Sequence, residues 1–194
     1  MTTILFATGN TEKFEIAQTL CSRHGIQLTQ FGAESHEIQS EDPVEVITQK
    51  AKDKFALSGS KPLVVSDDSW DIPGLHGFPG PYMKSMDVWL SSQDFLNLTK
   101  SLQDRRILLH QYLAYIDANT TQLFHTIIPG TLSQEIRGNY GKPAQKIIML
   151  DRDNGRTISE VYDNNLQHNL DRFNPKTDPW EKFVAWYQER SRND

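Results

Sequence analysis

At 194 residues, with 37% hydrophobic and 23% charged side chains, the chain is long enough to bury a sizeable core and reads as globular. A net charge of -5 argues against the broad basic face that polymeric nucleic acid requires, though not against a local basic pocket. Cys21 is the only cysteine, so no intrachain disulfide forms and a reducing compartment, the cytoplasm, is expected.

Ile4 to Ala7 is a short apolar run, too short for a signal peptide or a membrane span, and it reads as a buried strand. Thr8-Gly9-Asn10 signals a turn. Phe14, Ala17, Leu20 and Cys21 then recur at helical spacing, with Asn10 or Thr11 as N-cap and Gly25 as the stop. A strand over 27–31 follows, so the chain opens as an α/β protein. A strand-to-helix turn of this kind aims backbone amides and the positive end of a helix dipole at whatever sits above it, commonly a phosphate.

After the acidic loop Glu37 to Pro43, a helix runs through Val46, Ala51, Phe55 and Leu57. Leu63-Val64-Val65 is the third strand, delivering Asp67 and Asp68 at its end. Adjacent carboxylates repel unless a cation compensates. A hard divalent cation such as magnesium would do so and would bring substrate phosphates with it. For an isolated Asp-Asp pair, a turn cap is the simpler explanation.

Gly74, Gly77, Pro79, Gly80 and Pro81 make a loop too rich in breakers for helix or strand. An amphipathic segment carries Trp89, Phe95, Leu96 and Leu98. Two strands, 107–116 and 123–128, flank the polar turn 117–121 as a long hairpin, and Gly130 to Ile136 extends the ladder. A strand over 147–150 ends at Asp153-Asn154-Gly155. The last helix starts with Asp178 as N-cap and Pro179 at its first position, and Trp180, Phe183, Val184 and Tyr187 give it one apolar face. Trp89, Trp180 and Trp186 are expected in the core rather than at an interface.

The order of Thr8-Gly9-Asn10-x-x-Lys13, Glu37-Ile38-Gln39, Lys50-Ala51, Asp67-Asp68-Ser69, Gly77-x-Pro79-Gly80 and Tyr82-x-Lys84 resembles the inosine triphosphate pyrophosphatase family, the non-canonical purine nucleoside triphosphate pyrophosphatases. The resemblance implies an elongated, two-lobed α/β fold, a mixed sheet flanked by helices, with the substrate cleft between the lobes of a single domain spanning 1–194. It also implies a homodimer that uses magnesium to cleave a nucleoside triphosphate to the monophosphate and pyrophosphate. On that basis Glu37 and Asp68 are metal ligands, and Asp67 or Asp68 orients or deprotonates the water. Thr8, Asn10, Lys13, Lys50 and Ser69 hold phosphates, and Lys84, Gln145 and His168 face the base or the rest of the substrate.

The second half departs from the family pattern. Where the family has Gly-Phe-Gly-(Tyr/Trp)-Asp-Pro, this chain has Gly141-Lys142-Pro143-Ala144-Gln145-Lys146, and the stacking aromatic and the acid have become Lys142 and Gln145. Thr157-Ile158-Ser159-Glu160 fits the next motif. The later Lys-Asn-x-x-Ser-His-Arg corresponds to Asp163 to Asn169 and keeps only His168 of its last three residues. Inosine-over-adenine selectivity therefore does not carry over, because selectivity of that kind depends on base-facing polar groups. Tyr140, Tyr162 and Trp89 are alternative stacking rings. Two other readings stay open: a pyrophosphatase for a different modified nucleotide, and a nucleotide-binding protein of this fold with little turnover.

Overall fold

The computed structural model describes residues 3–32, 38–169, 171 and 178–193. In chain order its elements are β1 (Ile4–Phe6), α1 (Thr11–Ser22), β2 (Leu28–Gln30), α2 (Pro43–Leu57), β3 (Leu63–Asp71), β4 (Pro79–Gly80), α3 (Met83–Trp89), α4 (Ser92–Thr99), β5 (Arg106–Ile116), β6 (Thr121–Leu132), β7 (Ile148–Leu150), α5 (Ile158–Asp163) and α6 (Pro179–Asn193). This is a mixed α/β fold, a sheet flanked by helices, as expected. The chain divides into two compact units, with the boundaries falling inside β3, β5 and β6. Among the described residues no helix is long and apolar enough to cross a membrane.

In the first unit β1 lies between β2 and β3 and is parallel to both, with Phe6 opposite Gln30 on one side and Val64 on the other. Parallel neighbours need crossovers, and right-handed crossovers run in opposite directions, β1 to β2 through α1 and β2 back past β1 to β3 through α2, place the two helices on opposite faces. The side chains agree. Ile47 and Ala51 of α2 pack with Ala7, Leu63, Val65 and the β5 residues Tyr112, Ala114 and Ile116. On the other face the Phe6 ring meets Trp180 of α6 edge-on at 4.8 Å, and α1 lies beside α6. Asn10 is the N-cap of α1, accepting from the Lys13 N–H. Asp178 caps α6 through the Trp180 N–H. The hairpin turn is closed by Asp117, which accepts from the N–H groups of Asn119 and Thr120, the Tyr115 hydroxyl and Arg190.

The second unit has its own core, in which Ile72, Met83, Phe95, Ile107, Leu109, Ile128, Leu132, Ile147, Ile148 and Leu150 are buried together. Its elements differ from expectation in several places. β3 does not stop near Val65 but runs on to Asp71, because Pro79 and Gly80 pair with it antiparallel: Trp70 stands opposite Gly80 and Asp71 opposite Pro79. The Gly/Pro-rich loop thus supplies a two-residue strand after all. β6 ends at Leu132, where β7 pairs with Gly130 to Leu132, and a Cβ at Gly130 would collide with the Met149 carbonyl. The amphipathic segment is broken into α3 and α4 by a capping box between Ser91 and Asp94. Trp180 is core, but Trp89 is not: it ends α3 at 70% exposure, beside Val88 at 78%.

Candidate phosphate and metal site

β1 is where the strand order reverses, with β2 reached on one side and β3 on the other. Ligands of open α/β sheets bind beyond the carboxyl ends of strands at such a reversal. Thr8-Gly9-Asn10 occupies that position. The Thr8 N–H turns back to the Phe6 carbonyl at 3.0 Å, and the Ala7 N–H holds the Val64 carbonyl at 2.9 Å. The Thr8 hydroxyl oxygen accepts from the Asn10 N–H at 3.1 Å, and Asn10 Oδ1 accepts from the Lys13 N–H at 3.0 Å. Both side chains have spent an acceptor inside the turn, leaving the Thr8 hydroxyl hydrogen and the Asn10 Nδ2 as donors. The Thr8 carbonyl accepts from Gln30 Nε2 at 3.1 Å. Gln30 went unnoticed in the sequence, where it is one polar residue in a weakly alternating stretch.

The register of β1 against β3 carries this turn to the level of Ser66 and Asp67, beyond the Phe6–Val64 pair. Asp67 Oδ1 lies 3.7 Å from Lys50 Nζ on α2, both side chains largely screened from solvent. Side chains alternate along a strand, so Asp67 shares the α2 face with Leu63 and Val65, and Asp68 takes the other. This corrects the picture of two like charges set side by side at a strand end. The carboxylates lie within β3, which runs on through both to Asp71 between β1 and β5, and successive side chains of an extended strand point to opposite faces.

Asp68 opens the second unit, which also holds Ser69, Lys84, Gln145 and His168. Ser69 is 7% exposed within β3, and Lys84 is exposed on the first turn of α3. Gln145 has its carbonyl oxygen engaged by the Lys142 N–H at 2.8 Å, closing its own loop. That loop is also held from outside. Asp87 of α3 accepts from the Ala144 N–H at 3.0 Å, and the Ser92 hydroxyl donates to the Pro143 carbonyl at 3.0 Å. Burial pushes the Asp87 carboxyl above its usual range, and the Ala144 N–H and Lys142 oppose that. His168 is half-buried in a turn after α5. Glu37 lies outside the described residues, and among the described residues no three of His, Cys, Asp and Glu gather as metal ligands.

Beside that loop, Tyr140 stacks on Tyr162 with ring centroids 5.4 Å apart, and the Asp163 carboxylate accepts the backbone N–H groups of Asn139 and Tyr140. Thr157 and Glu160 form the capping box of α5, and Arg137 Nη2 meets Glu160 Oε2 at 2.7 Å. The Thr-x-x-Glu motif is thus a helix start locked to the loop that carries Arg137.

The family model described as the Ham1 family matches residues 4–172. The chain is 31% identical over 134 residues to a dITP/XTP pyrophosphatase of Saccharolobus solfataricus, covering 69% of each chain. It is 26% identical over 186 residues to a dITP/XTP pyrophosphatase of Methanopyrus kandleri, covering 95% of this chain and 96% of that one. Among solved structures, a HAM1 protein from Coxiella burnetii shares the fold with a TM-score of 0.75 at 19% identity, over 97% of this chain and 100% of that one.

Proposed function

This chain belongs to the Ham1 family, and from that premise we propose that it hydrolyses a nucleoside triphosphate between the α- and β-phosphates, releasing the monophosphate and pyrophosphate. The observation that carries the reading is the turn Thr8–Asn10 at the strand reversal, beside the Lys50–Asp67 ion pair. It joins side-chain donors, a lysine and a carboxylate at the place where α/β sheets hold phosphate.

Lys13 and Lys50 take the phosphate oxygens as compact point charges, with Thr8, Asn10 and Ser69 adding donors. Asp68 orients the attacking water and takes its proton as the oxygen bonds to the α-phosphorus. The bond from that phosphorus to the bridging oxygen breaks, and the oxygen leaves with pyrophosphate. Asp67 holds Lys50 toward the phosphates. The donor set of β3, carboxylates and a hydroxyl, is the hard-oxygen chemistry that suits magnesium, which takes one or two carboxylates and completes its shell with water and substrate phosphate. Asp68 and Glu37 are the ligands we assign to it, and when bound it supplies charge neutralisation on the phosphates. Lys84, Gln145 and His168 face the rest of the substrate.

The relatives are named for dITP and XTP, and we place this chain's substrate in the same class of deaminated purine nucleotides. The chain works as one catalytic domain, in the cytoplasm and as a homodimer. The test is a panel of ITP, dITP, XTP and the four common triphosphates with magnesium, followed by pyrophosphate release. Cleavage of ITP or XTP with loss of rate in Asp68→Asn is expected. No pyrophosphate from any triphosphate, or an unchanged rate in Asp68→Asn, would sink the reading. A triphosphate that binds uncleaved would support a nucleotide-binding protein instead.

A further inference from the structure

We propose that Gln30, on β2, is a positioning residue for the triphosphate, setting the direction in which the Gly9 N–H points; this rests on the pyrophosphatase reading above. The ladder between β1 and β2 ends at the Phe6–Gln30 pair and the bond from the Phe31 N–H to the Phe6 carbonyl. Gln30 extends it one step with its side chain, donating Nε2 to the Thr8 carbonyl at 3.1 Å. The Thr8–Gly9 peptide is trans. In a trans peptide the C=O and the next N–H point in opposite directions within one rigid plane. Drawing the Thr8 carbonyl toward β2 therefore turns the Gly9 N–H away from β2, to the side of β1 on which β3 lies.

Three further observations support a ligand on that side. Among the described residues the Gly9 N–H meets no acceptor. A Cβ built at Gly9 would meet nothing within 4 Å, so a ligand can come close to this residue's Cα. The neighbouring Asn10 N–H is already held by the Thr8 hydroxyl at 3.1 Å, which leaves Gly9 as the amide of this turn aimed outward. A polarised N–H on the β3 side of the turn, level in register with Asp67 and its partner Lys50, suits a phosphate oxygen. Without Gln30 the peptide plane is free to rotate, and the ordering cost falls on substrate binding. Gln30 touches no substrate atom and acts through Thr8.

Gln30→Met keeps the side-chain length and removes the donor. The expected result is a KM for magnesium triphosphate raised about 3–10-fold, by the same factor whichever base is attached, with kcat within about twofold. Gln30→Lys keeps a donor on a stem long enough to reach Thr8 and returns KM toward wild type. The Gly9 amide resonance supplies a readout independent of turnover: titration with magnesium pyrophosphate moves it in the wild type and moves it far less in Gln30→Met. A wild-type KM and an undiminished Gly9 response in Gln30→Met overturn the proposal while leaving the pyrophosphatase reading intact, as does a loss confined to kcat or to thermal stability. A wild type that cleaves no triphosphate and shows no Gly9 response removes both.

Discussion

Asp68→Asn keeps the side chain's shape and removes the charge that takes the proton in the proposed reaction, so kcat should fall by about 10²–10⁴-fold. The accompanying check is circular dichroism, because an unfolded variant would fall for another reason. Gly9 offers a sharper trial of the phosphate assignment. Its φ is not positive and nothing stands near its Cβ position, so Gly9→Ala should leave the melting temperature within about 2 °C, a surface change being nearly neutral. If phosphate approaches that N–H, the added methyl raises KM; a variant with wild-type KM would place the phosphate elsewhere. The proposed set was assembled from the sequence because lysine, carboxylate and glycine declare their chemistry by type. Gln30 was not legible, since its contribution depends on a carbonyl twenty-two positions away, and no local pattern encodes that. Nor was the divergence of Asp67 and Asp68. Adjacency in sequence suggested a charge pair, and only the run of β3 from Leu63 to Asp71 showed that strand alternation separates them.

Elements with capping signals were read closely from the chain, since Asp178 and Pro179 at the head of α6 act within one turn. β4 was missed because proline and glycine argue against a strand locally, and a two-residue partner for β3 exists only in three dimensions. Helix α5 combines local and distant support, and its predicted response to pH separates the two. Thr157→Ala removes the N-cap and should cost about 1 kcal/mol, measured by urea unfolding. Arg137 is the largest cause holding the Glu160 carboxyl below its ordinary value of 4.5. A depressed folded-state pKa stabilises the fold at pH values above the unfolded one, and the contribution disappears as pH falls through the folded value. Glu160→Gln should therefore lower the melting temperature at pH 7, and the gap from wild type should close progressively below pH 4.5. A constant gap from pH 7 to pH 3 would show that the ion pair contributes nothing.

At the scale of the whole molecule, each unit holds its own buried cluster, and in the first one Cys21 reports on integrity. It is 0% exposed, and burial, with Asp178 and Glu181 adding to it, pushes its thiol up to about 12. The thiolate is the reactive form, so a disulfide reagent at pH 8 should label Cys21 only as fast as its surroundings open. Labelling that is immediate in native buffer would contradict the burial of α1. The α/β class was legible from the opening strand, turn and helix, and two lobes were implied by the resemblance, but where the chain divides was not legible, because β3, β5 and β6 each begin in one unit and end in the other. That connectivity has a genetic consequence. Neither unit corresponds to one uninterrupted stretch of coding sequence, so no single truncation, duplication or recombination event can deliver one without fragments of the other. Moving either unit into another chain would take several joins at once, inside β3, β5 and β6.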